Sequence, residues 1–414
     1  MARKPSRQIS PRRWYWAIFV VFAAQGLVST TFWTRSPEIA EMLHVDVAAM
    51  GLLGFLSSIG GFIGVFSGAP ISARIGSRYL MIPAFAVVVI SLLVIGLSAP
   101  SGHVVVVAVC LFTLGLGSGF GGIAMNLEGA AVDRASKKSL LPSIHGAFSA
   151  GTLAGSALGA IMIAAQVPVT ASFGLVALTY VLAMSAGVIN IPRESGRRIT
   201  NAMDTQEIAT VPSREQRRGV LREKRQLFVM FIIFGLVLAE AVAGTWIPLA
   251  LTSDGNMGEA AASLGLTLYF AGMTLGRFTG GLVVDRLGRA RSLLSYSVVA
   301  TVGILIVSTS NLTHAVYLGT ALWGIGLSVG FPLCVSAVSF DQRLAPSRVG
   351  YLASTGSVAG TVGPPVVGLV GQSAGLFTAF AIPVVFLVGG LFANKNTDLV
   401  SGETAHHEQI LDEP

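Results

Sequence analysis

Long apolar runs separated by short polar segments make up almost the whole chain. The runs reach the roughly 20 residues that an α-helix needs to cross a bilayer. We therefore predict an all-α integral membrane protein with twelve transmembrane helices. The predicted spans are 14–36, 47–71, 79–99, 103–131, 140–166, 168–192, 226–251, 260–283, 291–310, 313–338, 348–371 and 373–394.

The basic residues lie almost entirely on one side of this twelve-helix threading. Of the 27 Lys and Arg residues, only Arg35 and Arg277 do not fall on that side. Cytoplasmic loops are enriched in Lys and Arg, so this side is predicted to be cytoplasmic. Both termini then face the cytoplasm, as expected for a multi-pass protein of the bacterial inner (plasma) membrane.

The composition agrees with a membrane protein and argues against other classes. Only 11% of the residues are charged and the mean hydropathy is +0.73, whereas soluble domains are about 25% charged. The one-sided distribution of basic residues accounts for the net charge of +7, so we expect no nucleic-acid partner. The chain has no zinc-ligand spacing, nucleophile elbow or P-loop, so neither an enzyme nor a cofactor is predicted.

Glycines reveal an internal repeat. Adding 212 to the positions of Gly60, Gly64, Gly68 and Gly76 gives Gly272, Gly276, Gly280 and Gly288. Residues 149–159 (SAGTLAGSALG) similarly match 354–364 (STGSVAGTVGP). Glycines four residues apart allow helices to approach closely. We predict bundles at 1–192 and 226–394, joined by a cytoplasmic linker at 193–225 and followed by a cytoplasmic tail at 395–414.

The loop after the eighth span, Gly281 to Arg289, reads GLVVDRLGR. It resembles the signature loop of the major facilitator superfamily, G-x-x-x-D-R-x-G-R. The resemblance implies two six-helix bundles that work by alternating access. It also implies a conformational latch, formed by Asp285, Arg286, Gly288 and Arg289. The corresponding N-terminal loop has Ala73 where the motif has Asp, so the latch acid is expected only in the C-terminal half.

Other segments are similar to the fucose-permease-related branch of that superfamily and its uncharacterised bacterial relatives. These segments include Asn126 to Gly129, His145 to Gly151, Trp33 to Pro37, and Glu240 with Trp246. In the fucose-permease family a fourth-span carboxylate takes part in proton-coupled sugar uptake, and Glu128 is its nearest counterpart. Thr245 stands where that group would have an Asp before the tryptophan, which weakens any transfer of substrate identity.

Ionisable groups within spans are the first functional candidates, because they are costly to insert. Glu240 is predicted to lie slightly beyond the midplane, where it would either couple transport to protons or form a neutral interhelical hydrogen bond. Glu128 and His145 lie near the inner mouth, where they would pass a proton or pin two helices together. Arg277 is expected to snorkel towards the cytoplasmic interface or to contact the latch.

Arg35 breaks the positive-inside pattern at the outer end of the first span. It would either pair with Glu38, three residues further on, or attract an anionic or hydroxyl-rich solute. Aromatic and amide side chains suit such a ligand. We therefore predict that the cavity lining also includes Gln25, Trp33, Asn126, Trp246 and Trp323.

The predicted function is transport of a small polar organic solute, sugar-like or anionic, by proton-coupled uptake. The fifth span lacks the GPxxG signature typical of multidrug antiporters, which favours uptake over export. The alternatives are a proton-coupled efflux antiporter and a non-transporting sensor on the same fold. The expected partners are the lipid bilayer, a small-molecule substrate and protons, and we expect a monomer.

Overall fold

The computed structural model describes residues 9–136, 140–192, 195, 219–220, 223–338 and 344–395. These residues are helical almost throughout. The helices of the first half are α1 Pro11–Thr34, α2 Ser36–Leu43, α3 Val47–Ile75, α4 Ser77–Ser98, α5 Val104–Ser136, α6 Leu141–Ala164 and α7 Val169–Ile189. Those of the second half are α8 Lys224–Ser253, α9 Glu259–Leu287, α10 Arg289–Thr309, α11 Thr313–Leu327, α12 Gly330–Val338, α13 Ala345–Ala374, α14 Leu376–Ala379 and α15 Ala381–Lys395.

Each predicted span coincides with one helix or with two consecutive helices. Within the described residues, nine helical segments are long and apolar enough to cross a membrane. The other predicted spans correspond to α9, α13 and the interrupted pair α14–α15. The short helix α2 was not predicted; it continues the chain beyond the first span.

The chain divides into two compact units: residues 1–200 with 258–264, and residues 201–257 with 265–414. The first turns of α9 therefore group with the first unit. The predicted linker at 193–225 and the predicted tail at 395–414 lie largely outside the described residues. We call the end of each unit that carries most of the described basic residues its basic end.

The two halves use the same glycine turn between consecutive helices. Gly76 separates α3 from α4 with φ of 97°, and Gly288 separates α9 from α10 with φ of 77°. Both angles lie in the left-handed region, which glycine adopts without the steric cost of a Cβ. The glycine that ends the 212-residue repeat therefore has a similar backbone conformation in both halves.

Two further glycines, Gly115 and Gly324, mark equivalent helix seams in the two halves. A Cβ on Gly115 would overlap the carbonyl oxygen of Ser57, and one on Gly324 would overlap that of Tyr269. Ser57 and Tyr269 are themselves related by the 212-residue shift. The α3–α5 seam of the first unit is thus repeated between α9 and α11 in the second.

A partly buried ion pair joins two helices at the basic end of the second unit. Arg348, at the start of α13, is 4% exposed. Its NH2 contacts both carboxylate oxygens of Glu223 at 2.9 Å, and its carbonyl accepts from Gln226 at 3.2 Å. Charge-assisted hydrogen bonds of this kind are among the stronger polar contacts in proteins, so they hold the start of α8 against α13.

We predict that Gly115→Ala destabilises the protein whereas Gly122→Ala, in the same helix, does not. The Cβ at position 115 meets backbone, which yields only if the helices move apart; nothing lies within 4 Å of the Cβ position at residue 122. Overpacking of this kind costs about 1–3 kcal/mol. Thermal unfolding in detergent measures the difference, and equal melting temperatures for the two variants would contradict the seam.

Candidate substrate and coupling site

Helices α8 and α9 each place one charged residue deep within the helix. Glu240 lies 16 residues after Lys224 and 13 before Ser253, roughly 24 Å and 20 Å along the axis at 1.5 Å per residue. Its Oε1 lies 3.7 Å from NH2 of Arg277, and the two side chains are 43% and 38% exposed, respectively. The second unit therefore holds an accessible ion pair near the middle of two long helices.

A tyrosine hydroxyl belongs to the same site. Tyr269 precedes Arg277 by about two helical turns and is fully buried, and both Glu240 and Arg277 act on it electrostatically. Its hydroxyl has no hydrogen-bond partner among the described residues. The ring meets Trp323 edge-on at 6.1 Å, so this tyrosine is part of the packed interior next to the charged pair.

The ion pair of Arg277 with Glu240 was not among the sequence interpretations of that residue. Asp285 lies eight residues further along α9, roughly 12 Å along the axis, in the exposed last turns of the helix. Among the described residues, Asp285 and Arg286 make no ion pair. Arg277 thus lies with Glu240 rather than with the motif residues, and the latch of Asp285, Arg286, Gly288 and Arg289 stays a prediction.

Glu128 occupies a different environment, fully buried at the basic end of the first unit. Its Oε2 accepts a 3.0 Å hydrogen bond from the Trp14 indole, and the hydroxyls of Ser77 and Ser195 also face the carboxyl. These residues come from the starts of α1 and α4 and from the segment after α7. Glu128 therefore ties together four segments of the unit.

His145 and Asn126 contact groups other than the Glu128 carboxyl, and their predicted roles stay predictions. The exposed His145 ring meets Phe22 edge-on at 5.3 Å. Asn126 is also exposed and donates to the carbonyl of Gly122, one turn earlier in its own helix, at 2.8 Å. The Trp14 indole, which does donate to Glu128, is a partner that no local pattern in the chain pointed to.

Three residues predicted to line a cavity are instead packed inside their units. Gln25 is 5% exposed; it donates to Ser118 at 3.2 Å and accepts from Tyr180 at 2.6 Å. Trp246 and Trp323 are 1% and 0% exposed, and the Trp246 indole donates to the carbonyl of Pro364 at 3.0 Å. In this conformation none of the three presents a surface to a solute. Trp33 is half-buried against Gly54.

Arg35 has the local ion pair that its spacing allowed. It is 2% exposed, donates from Nε to Glu38 at 2.7 Å, and donates from NH2 to the Val167 carbonyl at 2.8 Å. Two of its three guanidinium nitrogens are therefore engaged by protein groups, and its assignment as a substrate contact stays a prediction. Ser263, near the start of α9, donates to the adjacent Thr34 carbonyl at 2.7 Å.

Glu259 adds another carboxyl to this charged cluster. Burial raises its pKa above the usual value of 4.5, as do the nearby carboxylates of Glu38 and Glu41, while Arg35 lowers it. The net effect is a raised pKa. The sequence pointed to the Arg35–Glu38 pair but not to Glu259, which is more than two hundred residues away along the chain.

The chain matches a known family of membrane transporters and is similar in sequence to individual transporters. A family model described as Major Facilitator Superfamily matches residues 15–255 and 229–395. An uncharacterised MFS-type transporter of Yersinia pestis is 27% identical over 387 residues, covering 92% of this chain and 94% of the relative. A gentisate transporter of Corynebacterium glutamicum is 24% identical over 365 residues, covering 85% and 79% of the two chains, respectively.

Solved structures share the architecture at low sequence identity. The nucleoside transporter NupG superposes with a TM-score of 0.72 at 14% identity and covers 93% of this chain and 98% of its own. A variant of the fucose:proton symporter FucP of E. coli gives a TM-score of 0.59 at 16% identity, covering 92% and 97%, respectively. These likenesses show the fold.

The raised pKa of Glu259 predicts a pH-dependent effect of Glu259→Gln on stability. A raised pKa means that the folded state binds this proton more tightly than the unfolded state, so the ionised carboxylate destabilises the fold at higher pH. The variant should therefore melt at a higher temperature than the wild type at pH 7–8. The difference should disappear as the pH falls through the raised pKa to below about 4.5.

Melting curves in detergent from pH 4 to pH 8 provide the measurement. Glu259→Asp keeps the charge and should keep the wild-type pH dependence. If Glu259→Gln and the wild type differ by the same amount at every pH, the ionisation of Glu259 has no such effect.

Proposed function

The chain belongs to the major facilitator superfamily, and from this premise we propose that it couples the uptake of a small organic anion to protons through Glu240 and Arg277. The protein is a multi-pass membrane transporter and not an enzyme. The observation that carries the proposal is the accessible ion pair of Glu240 and Arg277 deep in α8 and α9. Charged residues within spans are rare, and they typically mark ion or substrate pathways.

The geometry of the pair suits a reversible contact. At 3.7 Å the two groups attract each other, but the separation is longer than a normal hydrogen bond. Both side chains are partly exposed, so a proton reaches Glu240 and a solute reaches Arg277. A proton taken up by Glu240 removes its negative charge, and Arg277 is then no longer balanced by that carboxylate.

This change in charge favours an anionic solute over a neutral one. A carboxylate on the solute replaces that of Glu240 opposite Arg277 and accepts hydrogen bonds from the guanidinium. The proton and the anion then bind together and leave together, and one proton crosses with each monoanion without net charge. A neutral sugar would offer Arg277 no such replacement charge.

Proteins similar to this chain include a transporter of an organic anion and transporters of other solutes. The gentisate transporter acts on an aromatic carboxylate, while NupG and FucP are described as nucleoside and fucose transporters. Arg277 and the charge balance of the site lead us to favour the anion. Residues 151–159 have no proline, so the motif typical of antiporters is absent from α6 and we propose uptake.

Membership in the family and the one-sided basic residues support a cytoplasmic location for the basic end. We propose that both termini are cytoplasmic and that the protein resides in the bacterial inner membrane. Reporter fusions at residue 205 and at the C-terminus should both give the cytoplasmic signal. A periplasmic signal from either fusion would overturn this orientation.

Substrate class is tested first by binding. Gentisate, uridine and L-fucose are added separately to the purified protein and the melting temperature is measured, since a ligand that binds only the folded state raises it. We expect a rise with gentisate or a related carboxylate that is lost in Arg277→Gln and partly kept in Arg277→Lys. Losing the charged contact should weaken binding by at least about tenfold. A rise with uridine or fucose alone would refute the anion assignment.

The coupling role of Glu240 is tested in proteoliposomes. Glu240→Gln keeps the shape of the side chain but does not release a proton. With the carboxylate identified above as the labelled solute, the variant should lose accumulation driven by external acid while retaining exchange of solute between the two sides. Accumulation by Glu240→Gln at the wild-type level would exclude this residue as the proton carrier.

Glu128→Gln is the matched control for that experiment. Glu128 is a buried carboxyl held by Trp14, so its substitution should lower the melting temperature and leave pH-driven accumulation in the folded protein. If Glu128→Gln abolishes coupling and Glu240→Gln does not, the two roles are reversed. An internally acidic gradient separates export from uptake, because an antiporter would then drive solute in.

A further inference from the structure

A groove of about 620 Å³ lies in the first unit between the start of α1 and the end of α7. Its volume falls within the 300–1,000 Å³ that is typical of small-ligand sites. The residues that the following argument uses are Arg12, Arg13, Trp16, Val20, Ala186 and Asn190. Neither the proposed transport site nor the repeat explains this groove.

Two features give the groove a defined shape: close helix packing at Gly187 and an aromatic wall at Trp16, both of which line it. A Cβ on Gly187 would overlap the Val21 side chain, so α1 and α7 approach closely at that level. Trp16 meets Tyr15 edge-on at 5.1 Å and Phe19 at 5.3 Å. These contacts fix the indole, which is 51% exposed, as one wall.

One end of the groove is polar and positively charged. Arg12 and Arg13 lie in the first turn of α1 and are both exposed, and Asn190 is the residue that follows α7. Among the described residues that line the groove, none is acidic. Two guanidinium groups with an adjacent amide favour an anion with several oxygen acceptors, such as a phosphate.

The other end is apolar and continues onto the exposed side of the first unit. Val20 is 37% exposed, and Ala186 is exposed on α7. Leu182 and Ile189, one helical turn to either side of Ala186, are 63% and 65% exposed. A ligand that places its anionic group on the arginines thus has an apolar surface beside it for a hydrocarbon chain.

We propose that this groove binds an anionic phospholipid, with its phosphate on Arg12 and Arg13 and an acyl chain along Val20, Ala186 and Leu182. Tryptophan at a helix end is typical of the headgroup level of a membrane, and basic pockets between transmembrane helices bind anionic headgroups. Free inorganic phosphate shares the polar chemistry but would leave the apolar end unused. The combination of charge and apolar surface favours the lipid.

The test uses brominated acyl chains, which quench tryptophan fluorescence on contact. The protein is reconstituted in phosphatidylcholine with either brominated phosphatidylglycerol or brominated phosphatidylcholine. We expect part of the fluorescence to be quenched by phosphatidylglycerol with on the order of tenfold preference. Trp16→Phe should remove that part. Equal quenching by the two lipids would overturn the proposal.

Charge variants test the polar end. The double variant R12Q/R13Q should abolish the preference for phosphatidylglycerol. R134Q/R291Q removes the same charge from two exposed arginines outside the groove and should retain the preference. If both variants lose it equally, the attraction is a property of the surface charge and not of a site. Should the double variant fail to fold, as judged by size exclusion, the single variants R12Q and R13Q are each expected to weaken the preference.

Inorganic phosphate separates the two sources of the anion. At tens of millimolar, and with ionic strength matched by sodium chloride, phosphate should leave the lipid preference unchanged. If phosphate removes the preference while sodium chloride does not, the groove takes a soluble anion and the lipid assignment is refuted.

Discussion

Backbone packing against glycine sets the spacing of the main helix seams in the two units. Without a difference in hydrophobicity between lipid tails and helix surfaces, transmembrane helices associate through close van der Waals packing, and small residues allow it. Gly115 and Gly151 are in direct contact with the carbonyls of Ser57 and Ala23. Because those contacts involve main chain, the helices have little freedom to slide, and the polar side chains between them are held at fixed depths.

Within that packing, two glutamates of the same intrinsic chemistry lie in different environments. Glu128 is fully buried and accepts a hydrogen bond from the Trp14 indole, so its carboxyl links α5 to the start of α1. It also faces Ser77, the first residue of α4, and a carboxylate near a helix N-terminus is favourable. The first unit thereby has an acid at the start of α4, although the motif position, Ala73, lacks one. Glu240 is partly exposed and lies 3.7 Å from Arg277, so its carboxylate is accessible from outside the protein interior.

The sequence was most informative where a single local rule decides the outcome. Helix length and the Arg35–Glu38 pair depend on neighbours within a few residues, and both could be predicted. The Glu240–Arg277 pair depends on the register of α8 against α9, which apolar periodicity does not specify. Trp246 and Trp323 show the same difficulty, since an aromatic residue near a polar one is equally compatible with a cavity wall and a packed interior. Their burial is decided by Pro364 and Phe380, which are distant in sequence.

The two halves differ at the point where the charged pair lies. In the first unit Gly151 of α6 packs on Ala23 of α1, and its counterpart Gly356 of α13 faces Val237 of α8, with an added Cβ 3.3 Å from the valine side chain. The shift of 214 that relates Ala23 to Val237 also pairs Gly26 with Glu240. A Cβ on Gly26 would overlap the carbonyl of Phe148, so a glutamate there would force α1 and α6 apart. Helices α8 and α13 lie farther apart at this point, so the space between them can hold the Glu240 side chain. In the first unit the corresponding space is filled by backbone. The two halves therefore differ in packing at the position where the second unit has an accessible carboxylate.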